Sequence, residues 1–202
     1  MKTKFAGLAF MFVVTAFGAS SAVPVVPPCC AVVEKAGAPL SARSIYQLDA
    51  MWTSDAAAPV RFAALRGRPV VLAMFFAQCE YACPLLVQDM ERLRAALPAA
   101  VRTQTQFVLV SFDTARDTPA ALKAYRARMA LDDGWTLLRA EPAAVQELAM
   151  LLGVKFKQDA RGQFSHSNLL TVLNAEGEVA HQKAGLQGDV SAAVQAVVRV
   201  AR

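Results

Sequence analysis

A continuous apolar run that ends in two closely spaced cysteines constrains this chain more than any other feature. Residues 70–76 are almost all of the types that fully buried strands use. Cys79 and Cys83 follow this run, and Pro84 comes directly after the second cysteine. Proline suits the first turn of a helix because its missing N–H would have no partner there. The pattern predicts a buried strand, a short turn that carries two thiols, and then a helix.

The segment after Pro84 supports this interpretation. Apolar residues recur there at helical spacing, at Leu86, Met90, Leu93 and Leu97. The two thiols are therefore expected where a strand ends and a helix begins. At a helix N-terminus the dipole favours the thiolate, which is the form that binds metals and attacks disulfides. We predict redox or metal chemistry for Cys79 and Cys83.

The amino terminus has the pattern of a secretory signal. A basic start precedes an apolar run at residues 5–17, and small residues follow up to Ala22. Because a membrane span needs about 20 apolar residues, we predict that 1–22 is a cleaved signal peptide, with an uncleaved anchor as the alternative. The proline-rich residues 23–43 are predicted to be a linker, and 44–202 a single domain. The protein is expected in the periplasm, either free or anchored to the inner membrane.

The charge of the chain gives no indication of a nucleic-acid partner. The sequence has 21 basic and 16 acidic residues, and loss of residues 1–22 would remove two of the lysines. The remaining basic residues are scattered, and no basic run stands out. We expect these basic residues to form an ordinary solvated surface. Contact of the protein with a membrane surface remains one option.

The four cysteines allow more than one interpretation. Outside the cytoplasm thiols tend to oxidise, so two structural disulfides are one option. A disulfide between Cys79 and Cys83 would close too small a loop to stabilise the fold much, and their position favours function. Cys29 and Cys30 lie in the linker and are adjacent, which would strain a disulfide between them. They are either an incidental tail or a flexible thiol pair.

Strands and helices alternate along the rest of the chain. Further strands are predicted within 44–52 and at 107–112, 135–138, 169–173 and 178–182. Helix starts are predicted at Thr118-Pro119, at Pro142 and at Gly188-Asp189. A β-α-β start followed by a terminal β-β-α is the thioredoxin arrangement. The predicted fold class is therefore α/β and thioredoxin-like, with a central mixed β-sheet flanked by helices on both faces.

One of the two histidines is a candidate for the same site as the thiols. His166 directly precedes the strand predicted from Leu169, in the loop that faces the active-site helix in a thioredoxin-like fold. Thioredoxins place a cis-proline there, whereas this chain has no proline after Pro142. Two thiolates and an imidazole form a soft site that suits Cu(I) and can also hold Cu(II) or Zn(II). The other histidine, His181, is expected at the surface.

Three motifs together resemble the SCO family (synthesis of cytochrome c oxidase). They are Cys-x-x-x-Cys-Pro after an apolar strand, Ser-Phe-Asp-Thr-Ala-Arg-Asp-Thr-Pro at 111–119, and His-Ser before a late strand. The resemblance runs from about Ser44 to the C-terminus. It implies a thioredoxin-like fold and a copper site, holding Cu(I) or Cu(II), formed by Cys79, Cys83 and His166.

The resemblance also implies a function and partners. The protein would deliver copper to the CuA centre of cytochrome c oxidase or keep the thiols of that centre reduced. Its partners would be a CuA-bearing oxidase subunit or another copper protein, and a thioredoxin-like reductant. The alternative is a thiol-disulfide oxidoreductase, or a redox-defence protein, that uses Cys79 and Cys83 without a stable metal. Asp113, at the end of a strand, is either a turn residue or a contact of the site.

Overall fold

The apolar run at 70–76 forms the centre of a mixed β-sheet. The structure is a computed structural model that describes residues 39–202. The predicted signal peptide and the linker cysteines, Cys29 and Cys30, lie outside the described residues. The signal peptide and the roles suggested for these two thiols therefore stay predictions. Among the described helices, none has the length and apolar character needed to cross a membrane.

The strands and helices of the described chain follow each other in the predicted alternation. The strands are β1 (Trp52–Ser54), β2 (Pro59–Val60), β3 (Val70–Phe75), β4 (Gln106–Ser111), β5 (Trp135–Arg139), β6 (Phe156–Gln158), β7 (Phe164–His166), β8 (Leu169–Leu173) and β9 (Val179–Ala184). The helices are α1 (Ala82–Ala96), α2 (Ala99–Gln104), α3 (Pro119–Arg128), α4 (Pro142–Leu152) and α5 (Ser191–Val200). Two 3-10 helices, Ile45–Gln47 and Phe62–Leu65, precede β1 and β3.

Seven of these strands form one sheet in the order β2-β1-β5-β4-β3-β8-β9. Strand β3 pairs in parallel with β4 and antiparallel with β8. All six of its residues are buried, which explains why its sequence is apolar throughout. The mixed sheet and its helices confirm the thioredoxin-like fold. Because β3 is central, its carboxyl end presents the following loop at the edge where α1 begins.

Local sequence signals account for several element boundaries. Helix α3 begins at Pro119, and the side chain of Thr118 caps it by accepting from the backbone N–H of Ala121. Helix α4 ends at Gly153, which has a left-handed backbone with φ of 71°. Helix α1 begins at Ala82, so that Pro84 lies within its first turn.

Three elements differ from the sequence prediction. Within 44–52 a 3-10 helix forms at Ile45–Gln47, and the strand begins only at Trp52. Helix α2 was not predicted, because Pro98 both follows α1 and serves as the N-cap of α2. The hairpin β6–β7 was also missed, since each strand has only three residues. This hairpin matters for function because it ends at His166.

Candidate metal centre

The loop between β3 and α1 holds Cys79 at the carboxyl end of the central strand. The backbone N–H of Cys79 donates to the carbonyl of Phe76 over 3.2 Å. Two residues earlier, the N–H of Ala77 donates to the carboxylate of Asp117 over 2.8 Å. That carboxylate is fully buried and also accepts from the hydroxyl of Ser111 over 2.5 Å. Burial raises the pKa of Asp117, even though these hydrogen bonds favour its charged form. The loop is thus fastened to the segment after β4.

Cys83 occupies the first turn of α1. Its side chain is fully buried, whereas Cys79 is only partly buried. Both are free thiols in the structure. The backbone N–H of Cys83 donates to the sulfur of Cys79 over 3.2 Å, so the helix N-terminus turns one of its unpaired donors toward that sulfur.

His166 approaches the two thiols from the hairpin β6–β7. It is the last residue of β7, opposite Phe156 of β6. Its Nδ1 lies 3.1 Å from the carbonyl oxygen of Ser167, which suits the tautomer with the proton on Nδ1. In this tautomer Nε2 offers a lone pair, and it lies 3.9 Å from the sulfur of Cys83.

The fold therefore brings together the three residues that the sequence predicted to share a site. The sulfurs of Cys79 and Cys83 and a ring nitrogen of His166 all lie within 4.8 Å of one another. The group could hold a metal ion, and its two sulfurs and one imidazole are donors that soft or borderline metals prefer. The donor set thus fits copper.

A cleft opens beside this group. Its volume is about 1040 Å³, and its lining includes Cys79, His166, Tyr81, Arg128 and Gln163. Tyr81 is 76% exposed, so its ring covers little of the site. Cys79 thus lines the cleft, whereas Cys83 is fully buried and is not among the residues that line it.

The comparison with known families decides which family this arrangement belongs to. The family model described as SCO1/SenC matches residues 47–202. This chain belongs to the SCO1/SenC family. A relative from Stutzerimonas stutzeri, whose name proposes copper binding, is 34% identical over 152 residues, which cover 73% of this chain and 72% of the relative.

Solved structures of SCO1/SenC proteins have the same fold. A SCO1/SenC family lipoprotein from Bacillus anthracis has a TM-score of 0.68 at 21% identity, covering 75% of this chain and 92% of its own. Bradyrhizobium japonicum ScoI, solved with copper bound, has a TM-score of 0.61 at 20% identity, with 75% and 96% covered. Yeast Sco1 with copper bound has a TM-score of 0.61 at 20% identity, with 74% and 84% covered.

The two thiols of this SCO1/SenC chain differ in acidity. The hydrogen bond from Cys83 lowers the pKa of Cys79 to about 4, against the opposing effect of burial, and His166 contributes in the same direction. The same interaction, together with burial, raises the pKa of Cys83 above its ordinary value. Burial disfavours the charged imidazole, but the hydrogen bonds with Cys79 and with the backbone of Ser167, together with the charge of Cys79, raise the pKa of His166. The helix N-terminus was predicted to favour the thiolate form of both cysteines. The pKa shifts agree with this for Cys79 and not for Cys83.

We predict that iodoacetamide modifies Cys79 before Cys83 in the reduced, metal-free protein. At pH 6 the thiolate of Cys79 is reachable from the cleft, whereas Cys83 is protonated and buried. The rate difference should exceed about tenfold, because only the thiolate is the nucleophile. Peptide mapping by mass spectrometry after brief labelling measures it, with urea-unfolded protein, in which both sites react alike, as the control. Equal labelling of the two cysteines in the folded protein would contradict the prediction.

The structure also locates the other residues considered from the sequence. Asp113 is buried and forms an ion pair with Arg116, so it is more than a turn residue. His181 lies on β9 opposite Val172 of β8.

Sequence reasoning missed the aromatic cluster around His166. The rings of Phe76 and Phe112 lie with centroids 5.9 Å and 5.2 Å from the imidazole. Phe156 and Phe164 of the hairpin pack on Phe112. A signal was present, because Asp-Ala-Arg-Gly at 159–162 is a typical turn sequence between the two phenylalanines.

Proposed function

We propose that this SCO1/SenC chain is an exported metallochaperone that binds copper through Cys79, Cys83 and His166. The observation that carries the proposal is the meeting of two sulfurs and one imidazole nitrogen within 4.8 Å beside an open cleft. The copper-bound structures of Bradyrhizobium japonicum ScoI and yeast Sco1 support it. The predicted signal peptide at 1–22 supports export to the periplasm.

The proposed recipient is the CuA centre of cytochrome c oxidase, or another copper protein that offers thiolates. Transfer would be a ligand exchange in which an incoming thiolate binds Cu(I) and one of the three donors leaves. The metal keeps its oxidation state, so the step needs no oxidant. The partly buried sulfur of Cys79 beside the cleft lets such a ligand approach.

A thiol-disulfide oxidoreductase is the second candidate, and the acidity of Cys79 favours it. A thiolate with a pKa of about 4 would attack a disulfide of the partner and release one partner thiolate. Cys83, once deprotonated, would then attack the mixed disulfide. The partner leaves as a dithiol, and this chain keeps a Cys79–Cys83 disulfide, which a thioredoxin-like reductant reduces to regenerate the two thiols. His166 supplies no atom to these bond changes.

Replacement of His166 by alanine separates the two candidates. The full chain with Cys29→Ser and Cys30→Ser is reduced, loaded with Cu(I) and mixed with a reduced, metal-free CuA domain. We expect about one copper per chain and its transfer to the domain, both impaired by His166→Ala. Copper content after separation of the two proteins measures transfer.

The second arm of the experiment uses the oxidised CuA domain without copper. If the chain is an oxidoreductase, its His166→Ala variant should reduce that disulfide about as fast as the unchanged chain does. Unchanged copper binding and transfer in His166→Ala would contradict the three-ligand site. Absence of stoichiometric copper in the reduced chain would contradict the metallochaperone itself.

A further inference from the structure

The hairpin that carries His166 is not part of the main sheet. Strands β6 and β7 pair only with each other in the described chain and form a separate two-stranded sheet. Backbone pairing therefore fixes Cys79, next to central strand β3, more firmly than it fixes His166. His166 is joined through two residues to β8 of the main sheet, and contacts between the hairpin and the rest of the domain also contribute to the position of the imidazole.

Aromatic packing supplies part of this attachment. Phe112, directly after β4, stacks on Phe156 with a centroid distance of 5.0 Å and an interplanar angle of 13°. It also contacts Phe164 edge-on at 5.1 Å. Such packing is favourable but weakly directional. It holds the hairpin against the domain without fixing its tilt.

Arg116 adds a directional contact at the tip of the hairpin. Its Nη2 donates to the carbonyl oxygen of Gly162 over 2.7 Å, and its guanidinium lies 5.7 Å from the ring centroid of Phe164. Gly162 has a φ of +79°, and a Cβ there would lie 3.4 Å from Nη1 of Arg116. The glycine both forms the turn and leaves room for the guanidinium.

The guanidinium is itself held by Asp113. Nε of Arg116 donates to the carboxylate, and the backbone N–H of Arg116 donates to the same group over 3.2 Å. Asp113 is 1% exposed, and its backbone N–H donates to the hydroxyl of Ser111 over 3.0 Å. A buried carboxylate needs a charged partner, so this pair is strongly held. The chain thus has a continuous polar bridge from the end of β4 to the hairpin tip.

We propose that the Asp113–Arg116 pair positions the hairpin so that Nε2 of His166 faces the two thiols. Arg116 is then a positioning residue for metal binding, because it contacts the hairpin and not the metal ligands. The inference builds on the proposed function, in which His166 is a ligand. It predicts that damage to this bridge weakens copper binding only through His166.

Arg116→Lys is the test variant. Lysine keeps a positive charge near Asp113 but has no planar fork that can donate to both the carboxylate and the Gly162 carbonyl. We expect the affinity for Cu(I) to fall, by no more than the roughly 10- to 100-fold that loss of a direct hydrogen-bond partner of a ligand costs, because Arg116 acts on His166 only through the hairpin. The Cu(II) form should lose nitrogen hyperfine coupling in its electron paramagnetic resonance spectrum, since the imidazole is no longer held in place.

Arg126→Lys is the matched control. Arg126 makes the same kinds of contact, because it pairs with Asp55 and donates to the backbone carbonyls of Asp132 and Trp135. These contacts lie at the start of β5, away from the hairpin. Copper affinity should therefore remain unchanged in this variant.

A double-mutant cycle with His166→Ala decides whether Arg116 acts through the imidazole. In the His166→Ala background, Arg116→Lys should change the Cu(I) affinity by less than about twofold, because coupled residues are not additive. An equal loss in both backgrounds would overturn the inference, and so would an unchanged affinity of Arg116→Lys. If His166→Ala alone leaves the affinity unchanged, the proposed copper site fails instead.

Hydrogen exchange of the metal-free protein tests the bridge independently of copper. Amides of β6 and β7 should exchange faster in Arg116→Lys than in the unchanged chain, while those of β3 and β4 keep their protection. Arg126→Lys should leave the hairpin amides unchanged. Unaltered exchange of the hairpin in Arg116→Lys would overturn the positioning role even if copper affinity fell.

Discussion

Replacement of Cys79 by serine is expected to lower the affinity for Cu(I) more than loss of His166 does. A serine hydroxyl is a hard and weak donor, and Cu(I) prefers thiolates. The loss should exceed the roughly 100-fold that a missing outer partner of a ligand can cost. His166→Ala should cost less, because the two sulfurs remain and Cu(I) accepts two thiolates. Competition with a Cu(I) chelator of known affinity measures both variants.

The design of this comparison depends on the partial exposure of Cys79. Its replacement leaves no orphaned buried group, whereas Cys83 is fully buried and its replacement risks the fold. All variants should carry Cys29→Ser and Cys30→Ser, so that the linker thiols bind no copper. The same background with both site cysteines is the control. An affinity of Cys79→Ser equal to that of the control would refute the proposed ligand set.

Replacement of Phe112 by alanine should destabilise the domain by about 3–5 kcal/mol, the usual cost of emptying a buried aromatic site. Phe112 is 3% exposed. It contacts the rings of Phe76, Phe156, Phe164 and His166. We therefore expect a second effect, a weaker hold on the hairpin and a lower copper affinity in the fraction that stays folded. Urea unfolding gives the stability, and copper competition is done without denaturant.

Phe62→Ala is the matched control for the second effect. Phe62 is fully buried and stacks on Trp52 with a centroid distance of 4.5 Å, but it contacts neither the hairpin nor the thiols. Its loss should destabilise the domain by a similar amount and leave the copper affinity of the folded protein unchanged. If both variants bind copper like the unchanged chain, aromatic packing at Phe112 does not position His166.

Asp117 lies close to the candidate metal site and joins two of the segments that form it. Its carboxylate accepts from Ala77, in the loop before Cys79, and from Ser111, at the end of β4. In the same loop as Asp117, Asp113 holds Arg116, and Arg116 donates to the carbonyl oxygen of Gly162 at the tip of the hairpin. The segment 111–119 thus contacts both the loop between β3 and α1, which carries Cys79, and the hairpin β6–β7, which carries His166. This arrangement gives a structural reason for the acidic residues of that motif.

The difference in acidity between the two cysteines could not be predicted from their spacing. Both were expected to become thiolates because they lie at a helix N-terminus. Burial and mutual hydrogen bonding separate them, since one sulfur accepts the donors and the other loses contact with water. The burial and the hydrogen bonds of each sulfur depend on neighbouring residues from other parts of the chain.

Local sequence patterns alone predict the strand β3, the cysteine-bearing turn and the helix after it. Each of these follows from local patterns: a fully apolar run for β3, and a proline and helical spacing for α1. The three motifs at Cys79, at 111–119 and at His166 were sufficient to indicate the SCO family.

Long-range contacts, which no local pattern reveals, bring the imidazole to the thiols. The hairpin strands have three residues each, too few for a clear periodic signal. The contact between Arg116 and Gly162 joins residues 46 positions apart, and no local propensity encodes it. This contact forms because the buried carboxylate of Asp113 requires a charged partner, and the guanidinium that it holds reaches the Gly162 carbonyl, which also accepts from the side-chain amide of Gln158.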